Sequence, residues 1–408
     1  MHKKEYLTLD DISVEGKTVL ARLDLNSPMD PNGMILDDKR FKGHLPTLRE
    51  LIHNNAKIVL LSHQSRPGRD DFTTMQPHAN RLSYLLGKKV NYIDDIFGSN
   101  ARTAIKNMKE GDVLLLENVR FYSEESLKRS AGEHARTHMV RKLLPYIDIY
   151  INDAFAVSHR PHLSILGFTK VLPSGAGRLM EKEIKALSKG LQGEERPCIF
   201  VLGGTKVDDS LKVIDNVLSR GGVDKVLVTG VVANVLLAAN SVSIGQKNIK
   251  FIEKQGYLDQ IDFGKKLLKK HGNKIVLPTD VAVNNNGERE EIKVTELPTD
   301  LPIADIGIET IVSFSSLIQN AKIVIMNGPA GITESSEFSL GTSEVLQAAT
   351  KSKFSVIGGG HIAAVVEQLN LEKKLSHVST GGGACIDFLA NGTLPGIDAL
   401  KLGASIAD

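Results

Sequence analysis

Ten times along this chain an apolar, β-branched run ends in polar or glycine residues and a pattern of helical period follows. The first half holds Thr18–Asn26, Lys57–His63, Asp112–Asn118 and Ile147–Asp153. The second half holds Ile199–Gly204, Lys225–Gly230, Lys274–Asp280, Lys322–Asn327, Phe354–Gly358 and Leu375–Thr380. Strands that alternate with helices imply parallel sheets covered on both faces, so the fold class expected is α/β. At 408 residues the chain exceeds what one hydrophobic core usually serves, and two domains are expected. Pro173-Ser174-Gly175-Ala176-Gly177 reads as a flexible breaker between the halves. After it, Met180, Ile184, Leu187 and Leu191 fall at helical spacing until Gly193 and Pro197, which reads as one interdomain helix.

In parallel sheets ligands sit beyond the carboxyl ends of the strands. The two halves place different chemistry there. The first carries cations: Arg22, Arg40, His63, Arg66, Arg120 and Arg160, with Asp24 and Asn26 at the end of the first strand and His162 after Arg160. Each arginine alone is an ordinary surface charge. Five at successive strand ends suit a small, multiply anionic molecule, because a guanidinium grips carboxylate or phosphate in two contacts.

The second half carries glycines: Gly203-Gly204-Thr205-Lys206, Asn327-Gly328-Pro329-Ala330-Gly331, Gly358-Gly359-Gly360 and Gly381-Gly382-Gly383. Phe354 to Leu369 typifies them, with a strand, three glycines, then a helical pattern through Ile362, Val365, Val366 and Leu369. Such a turn brings backbone N–H groups and a positive dipole end close to an anion. It would equally serve packing alone, and the stretch by itself does not choose. Backbone-lined loops with one lysine suit nucleotide phosphates.

Several classes are excluded. A net charge of +2 and 5% aromatic residues disfavour a nucleic-acid partner. Cys198 and Cys385 form no zinc or disulfide spacing, Met1 to Asp11 has no apolar signal region, and Val226 to Ala239 is too short to span a bilayer. A cytoplasmic setting is expected. Gly358 to Ala363 fits G-x-G-x-x-G/A, but the next strand ends in Thr380 and glycines, without the acid that a dinucleotide site requires. The phosphate loop and protein-kinase signatures are absent. No nucleophile is visibly paired with a base. Transfer of a phosphoryl group between two anionic oxygens needs neither, only alignment, exclusion of water and cations.

Taken in order, these motifs resemble the phosphoglycerate kinase family over nearly the whole chain. The blocks are Val19-Leu20-Ala21-Arg22-Leu23-Asp24-Leu25-Asn26-Ser27-Pro28, Ser62-His63-Gln64-Ser65-Arg66-Pro67, Leu114 to Phe121, Asn152-Asp153-Ala154-Phe155, Leu202 to Val207, Asn327 to Gly331 and Ser376 to Ala384. The resemblance implies two Rossmann-like three-layer αβα domains whose parallel sheets face each other across a cleft, joined by a helix. Residues 1–172 would bind 3-phosphoglycerate, 173–192 form the hinge and connector helix, and 193–393 bind nucleotide. Leu394 to Asp408 would pack back on the first domain.

By the same resemblance, Arg22, Asp24, Leu25, Asn26, Arg40, His63, Gln64, Ser65, Arg66, Arg120 and Arg160 form the 3-phosphoglycerate site. Gly204, Lys206, Asn327, Pro329, Glu334, Gly358, Gly359, Gly360 and His361 form the nucleotide site, with Glu334 on the ribose. Arg40 and Lys206 would be catalytic, meeting on the phosphoryl group in flight. The partners implied are ADP or ATP and 3-phosphoglycerate or 1,3-bisphosphoglycerate, with no nucleic acid or membrane, in a monomer or homodimer.

Three departures stand out. His361 occupies the place of the family's usual aspartate, and imidazole is a poorer magnesium ligand than carboxylate. Mg²⁺ is therefore expected to arrive with the nucleotide, held by phosphates and water rather than by protein ligands. Ser210 stands where many members have a lysine, which Lys212 would have to replace. Gln64-Ser65 replaces Leu-Gly. These substitutions resemble the archaeal branch. Two other readings stay open: a regulator that binds the same ligands without catalysis, and a kinase for another small acid.

Overall fold

The computed structural model describes residues 4–192 and 195–406. They divide into two compact units, one of Met1–Ile184 with Thr393–Asp408 and one of Lys185–Gly392. The first is built on β1 (Leu7–Thr8), β2 (Thr18–Arg22), β3 (Lys57–Leu61), β4 (Val90–Tyr92), β5 (Val113–Leu115), β6 (Ile149–Asn152) and β7 (Ser174–Ala176). All pair in parallel, in the order β1-β7-β6-β2-β3-β5-β4.

Successive residues of these strands point to opposite faces. Val19, Ala21, Ile58, Leu60 and Ile151 meet Phe41, Leu48 and Leu51 of the helix Lys39–His53 on one face. Leu20, Val59, Leu61 and Tyr150 meet Met139, Val140, Leu143 and Phe168 on the other. Because both faces are covered, the strands read as continuous apolar runs. β2 lies inside the sheet, so even its terminal Arg22 is buried.

Ser174–Ala176, expected to be a flexible breaker, is instead a buried strand between β1 and β6. Its glycine serves close packing: a Cβ on Gly175 would come 2.7 Å from Ile12 Cδ1 and 3.2 Å from Leu7 O. The connector helix Arg178–Gln192 follows, and the division between the units falls within it. Gly193, read as its stop, lies outside the described residues, as does the end of the C-terminal tail.

The second unit contains β8 (Cys198–Leu202), β9 (Lys225–Val228), β10 (Ile275–Val276), β11 (Asp280–Asn285), β12 (Glu288–Lys293), β13 (Ile303–Ile306), β14 (Ile323–Asn327), β15 (Phe354–Gly358) and β16 (His377–Val378). Six of them form a parallel sheet in the order β10-β9-β8-β14-β15-β16. The other three form an antiparallel sheet, β12-β11-β13. This sheet corrects the reading of Lys274–Asp280 as one strand: β10 stops at Val276, and Asp280 opens β11. Asn286 and Gly287, with φ of 52° and 99°, make its two-residue hairpin turn.

Among the described residues no helix is long and apolar enough to cross a membrane; Val226 to Ala239 is β9 followed by the helix Gly230–Ala239. The C-terminal helix Pro395–Ala404 belongs to the first unit, where Gly396 N–H donates to Ser158 O at 2.9 Å. A Cβ on Gly403 would lie 2.5 Å from Ser174 Cβ and 3.2 Å from Thr169 O. Gly403→Ala is therefore expected to cost about 1–3 kcal/mol by overpacking. A chemical-denaturation midpoint equal to that of the unsubstituted protein would show that this helix does not need the close approach.

Candidate functional site

In the first unit the carboxyl ends of β2, β3, β5 and β6 carry the polar groups. Arg22, buried at the end of β2, donates to Ser164 Oγ at 2.8 Å and to Leu23 O, and its Nη2 lies 3.1 Å from His63 Nδ1. Ser164 Oγ in turn donates to Glu125 Oε1 at 2.7 Å. Glu125 is fully buried; burial pushes its carboxyl up and the Arg22 charge offsets that. Arg22 and Glu125 thus form a paired floor through Ser164.

Above the floor the charge is unbalanced. Arg40 pairs with Asp24, whose other carboxylate oxygen lies 3.8 Å from His63 Nδ1. Among the described residues no carboxylate forms an ion pair with Arg66, Arg120 or Arg160. Burial, with Arg22 and Arg160 nearby, lowers Arg120 to about 10, so it remains a cation at neutral pH. Burial and the charges of Arg22, Arg120 and Arg40 hold His63 well below its ordinary value. His162 falls to about 3 through burial and Arg120, Arg22 and Arg160. The residual field is that of fixed guanidinium groups.

The remaining first-unit residues act through the backbone. Leu25 buries its side chain in the core while its N–H donates to Ser62 Oγ at 3.0 Å. Asn26 Oδ1 accepts from Ser65 N–H at 2.7 Å, and Ser65 O accepts from Arg120. Glu125 and Ser164, which no motif marked, are found only by burial.

The second unit encloses a cavity of about 690 Å³. Four helices begin at its wall: Val207–Ser219, Gly230–Ala239, Gly360–Gln368 and Gly383–Asn391. None has a side chain capping its first turn among the described residues; backbone carbonyls take Val207, Gly230, Val231 and Ala384 N–H, while the start of Gly360–Gln368 offers its N–H donors to a ligand. Two loops interlock to shape this wall. Gly204 N–H donates to Pro329 O at 2.7 Å, and a Cβ on Gly203 would strike the same carbonyl. Gly204, Lys206, Asn327, Pro329, Glu334, Gly359, Gly360 and His361 all line the cavity. Gly358 does not; a Cβ there would run into Cys385 Sγ and Asn327 Nδ2, so it is a packing glycine.

Away from the glycines the lining turns apolar, with Phe251, Pro278, Val281, Pro302 and Ile303. That end comes from β11, β13 and the helix Gln246–Lys254, none of which carries a glycine-rich loop. Arg289 of the hairpin supports it by donating to Asp305 Oδ2 at 2.8 Å and to Ile306 O at 2.8 Å. A cavity lined both by glycine-rich loops at helix starts and by apolar side chains suits a nucleoside phosphate.

The phosphoglycerate kinase family model matches residues 9–392. A phosphoglycerate kinase of Methanosarcina mazei is 60% identical over 98% of this chain and 96% of its own length. One from Methanothermus fervidus is 49% identical, covering 97% of each. The crystal structure of phosphoglycerate kinase from Pyrococcus horikoshii OT3 superposes with a TM-score of 0.89 at 43% identity, covering 98% of this chain and 99% of that one. The chain belongs to the phosphoglycerate kinase family.

The departures from the family pattern now have surroundings. Gln64 is fully buried and saturated: Oε1 accepts from Ser27 N–H at 3.2 Å and from His78 Nε2 at 3.0 Å, and Nε2 donates to Ser27 O at 3.0 Å. Ser65 adopts φ of 54°, the left-handed region that favours glycine, and its Oγ donates to Asp71 Oδ1 at 2.5 Å. The pair organises the loop before Arg66 from below. Ser210 is buried with no hydrogen-bond partner for its Oγ, and Lys212 does not line the cavity. Lys206 and Lys212 both act on the carboxyls of Asp209 and Asp387, which burial raises.

His78 gives this loop a pH dependence. Burial lowers its imidazole to about 4 against an ordinary 6.5. Between those values the unfolded chain binds a proton and the folded chain does not. Stability present above pH 6.5 is therefore lost as pH falls toward 4, by about 1.4 kcal/mol per pH unit for this group. His78→Gln removes the titration while keeping a donor in the place of Nε2 for Gln64. Urea unfolding at pH 6 and pH 4.5 should show a shallower acid slope in the variant; equal slopes would mean that His78 titrates normally.

Proposed function

We propose that this chain transfers a phosphoryl group reversibly between 1,3-bisphosphoglycerate and ADP, giving 3-phosphoglycerate and ATP. The observation that carries the reading is the pairing of two unlike anion sites on one chain. One is a patch of guanidinium groups that outnumber their internal counter-charges, Asp24 and Glu125; the other is a cavity walled by helix N-termini without side-chain caps. Relatives at 49–60% identity bearing the name phosphoglycerate kinase support it.

In this reading Arg22, Asp24, Asn26, His63, Arg66, Arg120 and Arg160 hold 3-phosphoglycerate, and the cavity holds the nucleotide with Glu334 at its ribose. A terminal phosphate oxygen of ADP attacks the acyl phosphorus, the bond from phosphorus to the carboxyl oxygen breaks, and the carboxylate leaves with the electron pair. Both oxygens are anionic from the start, so no general base is needed. Arg40 and Lys206 place positive charge on the transferring group, and Asp24 fixes the Arg40 fork. Substrates bound on separate units must be brought together, which assigns a closing motion to the segment 173–192.

Mg²⁺ bound with the nucleotide supplies neutralisation of phosphate charge. Among the described residues no group of three or more His, Cys, Asp or Glu side chains is placed to hold a metal ion. An ion keeping its phosphate and water ligands would suit this cavity, and His361 would contact those waters. The His361 side chain is 75% exposed, with its Nδ1 3.6 Å from Glu334 Oε1. His361→Asp is expected to tighten the apparent Mg²⁺ dependence of turnover; an unchanged dependence would place the side chain away from the metal.

The deciding experiment is steady-state transfer from Mg·ATP to 3-phosphoglycerate, coupled to reduction of the bisphosphate product. Turnover on the order of 1–100 s⁻¹ is expected. Binding of both ligands without turnover would favour a regulator; failure to bind 3-phosphoglycerate would overturn the arginine assignment. Arg40→Ala should lower kcat and kcat/KM together by about 10²–10³-fold while ligand dissociation constants hold. A pure affinity defect would remove Arg40 from the transition state.

A further inference from the structure

The helix Lys39–His53 that carries Arg40 also carries His44, Thr47 and Glu50 on the same face, at spacings of four, three and three residues. His44, 1% exposed, accepts from Asp24 N–H through Nε2 at 3.0 Å, and its Nδ1 donates to Asp153 Oδ2 at 2.7 Å. Asp153, fully buried, accepts from the N–H groups of Leu179 and Met180 at 2.9 and 3.2 Å. Thr47 Oγ1 accepts from Arg178 N–H at 2.8 Å. Glu50 takes Arg178 Nε and Nη2 at 2.7 and 2.6 Å. Three orphan donors in the first turn of the connector helix are thus satisfied by the Arg40 helix and by Asp153. Gly177 leaves the room: a Cβ there would strike the Asp153 carboxylate.

We infer that His44, Thr47 and Glu50, with Asp153, are positioning residues that lock Arg40 and Asp24 to the start of the connector helix. The orientation of that helix then sets where the Arg40 guanidinium points. The inference rests on the assignment of Arg40 to the transferring phosphoryl group. His44, Thr47 and Asp153 are buried with partners, and such a set has few alternative arrangements, so a rotation of the connector helix is passed to Arg40 rather than absorbed. The strand β7 immediately before the helix is buried and paired, which leaves the hydrogen-bonded stripe as the route by which the helix start meets the site.

Thr47 is the sharpest probe, because among the described residues its side chain hydrogen-bonds only to Arg178 N–H. Thr47→Val and His44→Ala are each expected to lower kcat about 10-fold with KM for both substrates within about 2-fold, the signature of a misplaced rather than a missing group. His44→Asn, whose amide stands in the place of Nδ1 and keeps the donor to Asp153 but stops short of Asp24 N–H, should recover part of the loss. In an Arg40→Ala background neither Thr47→Val nor His44→Ala should lower kcat further, since both act through Arg40. A role in stability alone would lower the unfolding midpoint and leave kcat of the folded protein intact. Unchanged kcat in a folded Thr47→Val protein, or losses that multiply with Arg40→Ala, would overturn the inference while the proposed reaction stands. Absence of turnover in the unsubstituted protein would overturn the proposed reaction and this inference with it.

Discussion

Positive charge in excess of its internal counter-charge is the constraint on which both units depend. In the first unit it is carried by guanidinium groups whose charge, added to burial, holds His63 and His162 below their ordinary values. Such an arrangement repels itself. It persists because the rest of the sheet holds it in place, and because its deepest member is neutralised from below: Arg22 reaches Glu125 through Ser164. Removing one partner of such a buried pair leaves the other uncompensated, which costs far more than losing a surface ion pair. The floor therefore has to stay paired for the rim above it to stay unpaired.

In the second unit the same excess comes from the backbone. Helix starts without side-chain caps, that of Gly360–Gln368 above all, turn N–H groups toward the ligand, and glycine lets the chain turn sharply enough for them to face one cavity. Ordinary surface helices would place Ser, Thr or Asp there. Leaving the caps out sacrifices some stability in each helix and gains a surface that only an anion completes. The two solutions differ in their demands. Side-chain cations need a rigid underlayer of hydrogen bonds, whereas backbone donors need only that their loops interlock, as Gly204 and Pro329 do.

Much of this was legible in the sequence, for identifiable reasons. Strands buried on both faces announce themselves as apolar runs, so the central strands and the chemistry at their ends could be read directly. β1, β4 and β7 are edge or short strands of two or three residues, below the length at which a run is distinguishable. β7 was misread because glycine and proline normally mark flexibility, and nothing local records that Gly175 abuts Ile12. The antiparallel sheet was missed although Asn286-Gly287 between two alternating runs is a hairpin signal; most of its exposed strand is charged, Glu288 to Lys293, which hides the alternation. At the site, motif residues on loops stood out. The apolar end of the cavity did not, because Phe251, Pro278 and Ile303 come from three separate segments and resemble any core residues.

The polar substitutions that set this chain apart from the usual family pattern obey one rule, and it bears on how such differences should be read. A polar group moved into a buried place is tolerated when its partners are present together, and is costly when any is absent. Gln64 meets Ser27, Asp71 and His78; Ser65 meets Asp71 and Asn26. Each is therefore one element of a set, and replacing Gln64 alone by leucine would strand the Ser27 backbone and His78 rather than restore a simpler core. Ser210 follows the opposite course, a small side chain with an unpartnered hydroxyl where a long cation is common. It marks a group removed, not a network added, and shifts the burden of charge on that wall to Lys206 and the helix starts around it.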